Sequence, residues 1–199
     1  MLDEPTRRLI ARAGHSVAAA IARAGITPNQ LTVTGGALGV VAGVLVGVGR
    51  PSWALVVWLL SRVIDGFDGV VARVSGQTTL IGGYLDITLD MLAYSAMAVG
   101  FAVADPAHQR LWLLVLVGYV MAITTTLALS SLLERAGRSV GGDRSLQFTA
   151  GLAEGGETTI VYVLLLLVPA WTLGVLWAWI GLLALTVVAR SALAFRLLR

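Results

Sequence analysis

The chain has 199 residues, of which 57% are hydrophobic and only 13% charged. An ordinary soluble domain carries about 25% charged residues, so this balance belongs to the membrane class. A net charge of +3 is too small to suggest a nucleic-acid binder, and the absence of Cys excludes a disulfide framework, a thiolate metal site and a cysteine nucleophile.

Residues 1–26 predict an amphipathic interfacial helix. Arg7, Arg8, Arg12 and Arg23 face lipid headgroups, while Leu9, Ile10, Val17 and Ile21 face the acyl boundary. No signal peptide is expected, because "MLDEPTRRLI" puts acids where a basic region belongs and no cleavable apolar stretch follows. Gly25 ends this helix. In "TPNQ", Thr27 suits an N-cap, Pro28 the first helical position and Gln30 the return arm of a capping box.

A membrane span needs roughly 20 mostly apolar residues. Six such segments follow, at about 31–49, 52–72, 82–103, 111–132, 152–169 and 172–193. The expected architecture is an all-α integral membrane protein, six transmembrane helices preceded by the interfacial helix. With the N-terminus in the cytoplasm, the cytoplasmic segments hold Arg7, Arg8, Arg12, Arg23, Arg73, Arg135, Arg138, Arg144, Arg196 and Arg199, against Arg50 and Arg110 outside. That asymmetry follows the positive-inside rule and puts both termini in the cytoplasm. The basic residues are all Arg, which with the Ala, Gly and Val content suggests a GC-rich bacterial genome. The Trp residues fall mostly near span ends, as interface anchors do. The first span carries Gly35, Gly39, Gly43 and Gly47, a small-residue ridge suited either to internal packing or to a dimer interface.

Charge reappears inside this apolar chain at one place. Asp65 and Asp68 lie in the last turns of the second span, Asp86 and Asp90 in the first turns of the third, with the short turn "VSGQTTL" between them. At about 100° per residue, Asp65, Asp68 and Ala72 share one helix face, as do Gly82, Asp86 and Asp90. A carboxylate inside a span costs at least ~2.5 kcal/mol, so these four should converge on the bundle interior or a wet cavity. An all-oxygen cluster suits a hard divalent cation, and no His is near enough to favour zinc. Arg62, three residues before Asp65, is expected to form a salt bridge inside the bundle.

The stretch Asp65-x2-Asp68-Gly69-x2-Ala72-Arg73-x8-Gly82-x3-Asp86-x3-Asp90 resembles the signature of the CDP-alcohol phosphotransferase family. The span count, the N-terminal amphipathic helix and "TPNQLT" look like family features too, which would make 27–199 one six-span phosphotransferase domain. The resemblance implies transfer of a phosphatidyl or similar group from CDP-diacylglycerol, or a related CDP-linked lipid, to an alcohol, with release of CMP. It implies Mg²⁺ or Mn²⁺, two ions per site, held by Asp65, Asp68, Asp86 and Asp90, and Asp90 as the base that takes the acceptor's proton. A carboxylate beside a cation is a weakened base, so Asp90 must bind metal loosely or meet an acidified hydroxyl. Gly69, Ala72, Arg73 and Gly82 would line the donor pocket, although Arg73 is equally explained as a helix C-terminal cap. The site would open to the cytoplasm of a bacterial membrane, and a homodimer is expected.

The acceptor is less legible. Glu154 and Glu157 share a face at the start of the fifth span, either shaping an acceptor pocket or answering the helix dipole. Arg138 and Arg144 suit a phosphorylated polyol acceptor or contact with anionic lipid. His15 and His108 are isolated, and neither looks catalytic. Two rival readings of the carboxylates are a Mg²⁺-dependent intramembrane prenyltransferase acting on a diphosphate, which usually carries its Asp-rich motifs on distant helices, and a divalent-cation transporter, whose carboxylates belong near the midplane.

Overall fold

A computed structural model of the chain describes residues 14–137 and 155–198. Its helices are α1 (residues 14–23), α2 (Pro28–Gly47), α3 (Pro51–Ser75), α4 (Leu80–Ala104), α5 (Gln109–Arg135), α6 (Gly155–Leu167) and α7 (Thr172–Leu197). Short 3₁₀ turns at Pro106–His108 and Pro169–Trp171 introduce α5 and α7. The described residues include no strand.

Local chemistry sets the helix boundaries. Thr27 Oγ1 accepts the Gln30 N–H at 3.3 Å while Gln30 Oε1 accepts the Thr27 N–H at 2.9 Å, the capping box that the sequence predicts, with Pro28 at the first helical position. At the far end of α3, Gly76 adopts φ 67°, a left-handed conformation that a side chain would oppose. Thr79 then caps α4, its hydroxyl accepting the Gly82 N–H at 3.1 Å. The α3–α4 reversal is therefore tight, and it fixes which residues of the two helices meet.

Helix α2 packs against both arms of this hairpin. Gly35 faces Ser61 and Asp65, Gly36 faces Leu89, Gly39 faces Ala93, and Gly43 lies on the backbone at Ala96 and Met97. A Cβ on Gly39 would stand 2.5 Å from that of Ala93, so only glycine allows the approach. The glycine ridge thus packs inside the protomer, where close backbone approach gains dispersion contacts in a medium that offers no hydrophobic drive.

The second half closes around aromatic side chains. Trp58, Met97, Trp112, Tyr162, Leu165 and Leu176 are fully buried, and Phe101 stacks on Trp112 with centroids 4.8 Å apart. A directed hydrogen-bond chain crosses the bundle. Trp179 Nε1–H donates to Tyr119 Oη at 3.1 Å, the Tyr119 and Tyr162 hydroxyls lie 2.9 Å apart, and the Tyr162 hydroxyl donates to the Tyr94 carbonyl at 2.8 Å. The tyrosine pair has one consistent polarity, because Tyr162 gives its only proton to the carbonyl and Tyr119 must donate to Tyr162.

The outside is aliphatic. Val44, Val63, Val117, Val120, Leu185 and Val188 are all exposed. Among the described residues, four helical segments are long and apolar enough to cross a membrane: Pro28–Gly47, Leu80–Ala104, Pro106–Arg135 and Pro169–Leu197. Helix α3 has comparable length, 25 residues, but carries Arg62, Asp65, Asp68 and Arg73, and α6 is a shorter apolar helix of 13 residues. Trp53, Trp171 and Trp177 are exposed, whereas Trp58, Trp112 and Trp179 build the core and so do not serve as the interface anchors expected of them. Of the N-terminal helix, residues 14–23 are described. Ala18 is buried against Val70 and Val71 of α3, and Val17 is exposed. Arg7, Arg8, Leu9, Ile10 and Arg12 lie outside the described residues.

Candidate active and metal site

Because α3 and α4 are antiparallel and joined by a short turn, the third-from-last turn of α3 lies beside the early turns of α4. Asp65, Asp68 and Asp86 each direct one carboxylate oxygen to a common point, with all three atoms within 4.8 Å of one another. At an effective dielectric near 20, each ionised pair at that separation repels by roughly 3 kcal/mol. Three acids held this close fit a divalent cation, and the donor set, all oxygen, is that of a hard metal such as Mg²⁺ or Mn²⁺. Asp68 is the most enclosed, 8% exposed, and accepts a 2.6 Å hydrogen bond at Oδ2 from Thr32 Oγ1 of α2.

Asp90 stands beside this group and is held differently. Arg62 Nη1 donates to its Oδ1 at 2.6 Å, and the Tyr94 hydroxyl donates to its Oδ2 at 3.2 Å. The same Nη1 lies 3.3 Å from Asp65 Oδ2, so one guanidinium bridges the triad and Asp90. The salt bridge expected of Arg62 is present and joins α3 to α4. Its Nη2 donates to Ser61 Oγ at 3.0 Å, and its Cζ lies 4.8 Å from the Trp58 ring and 5.3 Å from the Tyr94 ring.

The residues expected to line the donor pocket follow along the same hairpin. Gly69 and Ala72 are half-buried. Arg73 is exposed and turns back, its Nη1 3.3 Å from where a Cβ of Gly69 would sit. Gly82 faces Asn29, whose Oδ1 would be 3.1 Å from an added Cβ. Helix α6 approaches through Gly155, where an added Cβ would come within 2.8 Å of the Tyr94 hydroxyl. Glu157, in the first turn of α6, is half-buried. Arg138, Arg144 and Glu154 lie outside the described residues.

Three further residues escaped the sequence reading. Thr32 lies on the α2 face that carries the glycines, a signal available from periodicity. Asn29 belongs to the quoted "TPNQLT" but has no chemistry that marks it. Arg190 is buried in α7, its Nη1 donating to the Ala122 carbonyl at 3.0 Å. An Arg inside the predicted span 172–193 is as costly as Arg62, and that position is the signal that marks it.

Comparison with known proteins agrees with this geometry. The family model for CDP-alcohol phosphatidyltransferase matches residues 25–190. The chain is 37% identical over 177 residues to the inner membrane protein YnjF of Escherichia coli (strain K12), covering 86% of this chain and 84% of that one. It is 28% identical over 155 residues to the archaetidylinositol phosphate synthase of Pyrococcus horikoshii, covering 78% and 77%. In fold it is similar to the phosphatidylinositol phosphate synthase of Mycobacterium tuberculosis. The structure of that enzyme with CDP-DAG bound aligns at a TM-score of 0.64 with 24% identity, over 93% of this chain and 92% of that one. Its complex with manganese and citrate aligns at 0.66 with 21% identity, over 90% and 88%.

The class defined is a membrane-embedded phosphotransferase of phospholipid biosynthesis. The chain belongs to the CDP-alcohol phosphatidyltransferase family. The prenyltransferase and transporter readings of the carboxylates give way to that membership.

Proposed function

We propose that the protein transfers a phosphatidyl or similar phospholipid group from CDP-diacylglycerol, or a related CDP-linked lipid, to a small alcohol, releasing CMP. The observation that carries this reading is the convergence of Asp65, Asp68 and Asp86 beside a separately held Asp90. Asp65, Asp68 and Asp86 would hold Mg²⁺ or Mn²⁺, two ions with Asp90 near the second, and the metal would neutralise charge developing on the diphosphate. Asp90 takes the proton of the acceptor hydroxyl as its oxygen bonds to the lipid-bearing phosphorus and the bond to the CMP oxygen breaks. Gly69, Ala72, Arg73 and Gly82 line the donor pocket.

A phosphorylated polyol is the favoured acceptor. The Pyrococcus relative, an archaetidylinositol phosphate synthase, supports that class, and Arg138, Arg144, Glu154 and Glu157 are the residues we assign to acceptor recognition. In the membrane we count six spans, adding α3 and α6 to the four apolar segments, since Arg62 and Asp68 of α3 turn inward while its Val56, Leu59, Leu60 and Val63 are exposed. Residues 1–26 lie on the cytoplasmic interface, 27–199 form the catalytic domain, both termini and the site face the cytoplasm, and the protein works as a homodimer.

The test is CMP release by purified protein in detergent with CDP-diacylglycerol, Mg²⁺ and a panel of acceptors, with Asp90→Asn alongside. Release that requires one acceptor, the metal and Asp90 is expected. Release independent of the acceptor, or undiminished in Asp90→Asn, would remove the assignment.

A further inference from the structure

Two carboxylates meet one guanidinium at this site, and the contacts are unequal. Arg62 Nη1 lies 2.6 Å from Asp90 Oδ1 but 3.3 Å from Asp65 Oδ2, so the short, charge-assisted bond goes to Asp90. The second oxygen of Asp90 is taken by the Tyr94 hydroxyl at 3.2 Å. Tyr94 in turn accepts from Arg62 Nη1 at 3.3 Å, which closes a three-residue ring.

The guanidinium has no room to swing away. Ser61 holds Nη2, and Ser61 Oγ itself donates to the Gly35 carbonyl of α2 at 2.8 Å. The rings of Trp58 and Tyr94 flank the guanidinium, and its side chain is only 9% exposed. Asp90 remains 26% exposed, and each carboxylate oxygen has a second lone pair, so its accepting capacity toward the site is intact.

We propose that Arg62 is a positioning residue that, with Tyr94, fixes the orientation of the Asp90 carboxylate beside the Asp65–Asp68–Asp86 group. The inference rests on the reading of Asp90 as proton acceptor. It explains why a charged side chain is retained in the apolar part of α3, and why that side chain is Arg. A planar fork can lie between two rings and still reach both carboxylates, which a lysine ammonium cannot do.

The experiment uses the full chain in detergent and reads two quantities, CMP release and Mn²⁺ affinity measured by titration. Arg62→Gln should lower kcat about 10–100-fold, the range for residues that orient a reacting group, with both KM values within about twofold of wild type. Its Mn²⁺ affinity should be unchanged or higher, because a positive charge beside Asp65 has gone. Tyr94→Phe leaves the charge in place and should still lower kcat, while Arg62→Lys should recover part of the loss. In an Asp90→Asn background, Arg62→Gln should add nothing, since both changes act through one carboxylate.

Equal losses from Arg62→Gln with and without Asp90 would overturn the proposal, as would a wild-type kcat in Arg62→Gln or in Tyr94→Phe. Loss of Mn²⁺ binding together with turnover would reduce Arg62 to a structural ion pair. Should Arg62→Gln not fold, Tyr94→Phe and Arg62→Lys carry the test on the same readouts. Wild-type turnover in Asp90→Asn would instead defeat the underlying assignment of Asp90, an outcome distinct from an inactive Asp90→Asn beside an active Arg62→Gln.

Discussion

Thr32 and Asp68 are joined by a hydrogen bond of 2.6 Å between α2 and α3, the one side-chain bond by which α2 reaches the triad among the described residues. Hydrogen bonds to a charged group contribute about 1.5–3 kcal/mol, and Asp68 is too enclosed for water to replace this donor easily. Thr32→Val keeps the shape and removes the hydroxyl. We expect the Mn²⁺ concentration for half-maximal CMP release to rise about tenfold, with Thr32→Ser near wild type. An unshifted metal curve in Thr32→Val would show that Asp68 is oriented by other contacts.

The triad also ties stability to the metal. Asp65, Asp68 and Asp86 each offer one oxygen to the group. Asp86→Asn removes one of the three charges, so Mn²⁺ should raise its melting temperature by much less than that of wild type. CMP release should be lost in the same variant. Thermal denaturation with and without Mn²⁺ reads the difference.

Packing at Gly39 gives a third prediction. A side chain there meets Ala93 at a separation no real Cβ pair shows, so Gly39→Val must push α2 off the α3–α4 hairpin. Overpacking of this kind costs about 1–3 kcal/mol and should appear as lower yield and a lower melting temperature. Gly39→Val combined with Ala93→Gly should recover part of the loss. No recovery would mean that the strain falls elsewhere, for instance on Ser61.

Away from the site, Tyr119→Phe should be costly without touching catalysis. It strands the buried Trp179 Nε1–H and removes the donor to Tyr162. A stranded buried donor costs about 1–3 kcal/mol, readable by denaturation, while the metal dependence of CMP release should not move.

The fold and site were readable in the sequence to different depths. Helix starts with local chemistry were plain: Thr27, Pro28 and Gln30 carry their cap within four residues. The triad was plain as well, because Asp65, Asp68 and Asp86 are spaced by helical turns across a short reversal, and geometry over so few residues leaves little freedom. What needed the structure were partners distant in the chain. Thr32 meets Asp68 only because the glycine face of α2 settles on α3. The guanidinium of Arg62 prefers Asp90 over the nearer-in-sequence Asp65, a choice made by the positions of Trp58, Ser61 and Tyr94. Trp58, Trp112 and Trp179 build the core rather than the interface, and an aromatic near a span end carries the same signal whichever way it faces.

The chain from Trp179 to Tyr94 has a consequence for the membrane's insulation. A row of hydroxyls through a bundle is ordinarily a hazard, since protons can hop along it. Here the row begins at an indole N–H, which only donates, and ends at a backbone carbonyl, which only accepts. Passing a proton would require every hydroxyl to reverse, and neither terminus can take the reversed role. The protein gains polar ties linking α4, α5, α6 and α7 without this row serving as a proton wire from one end to the other.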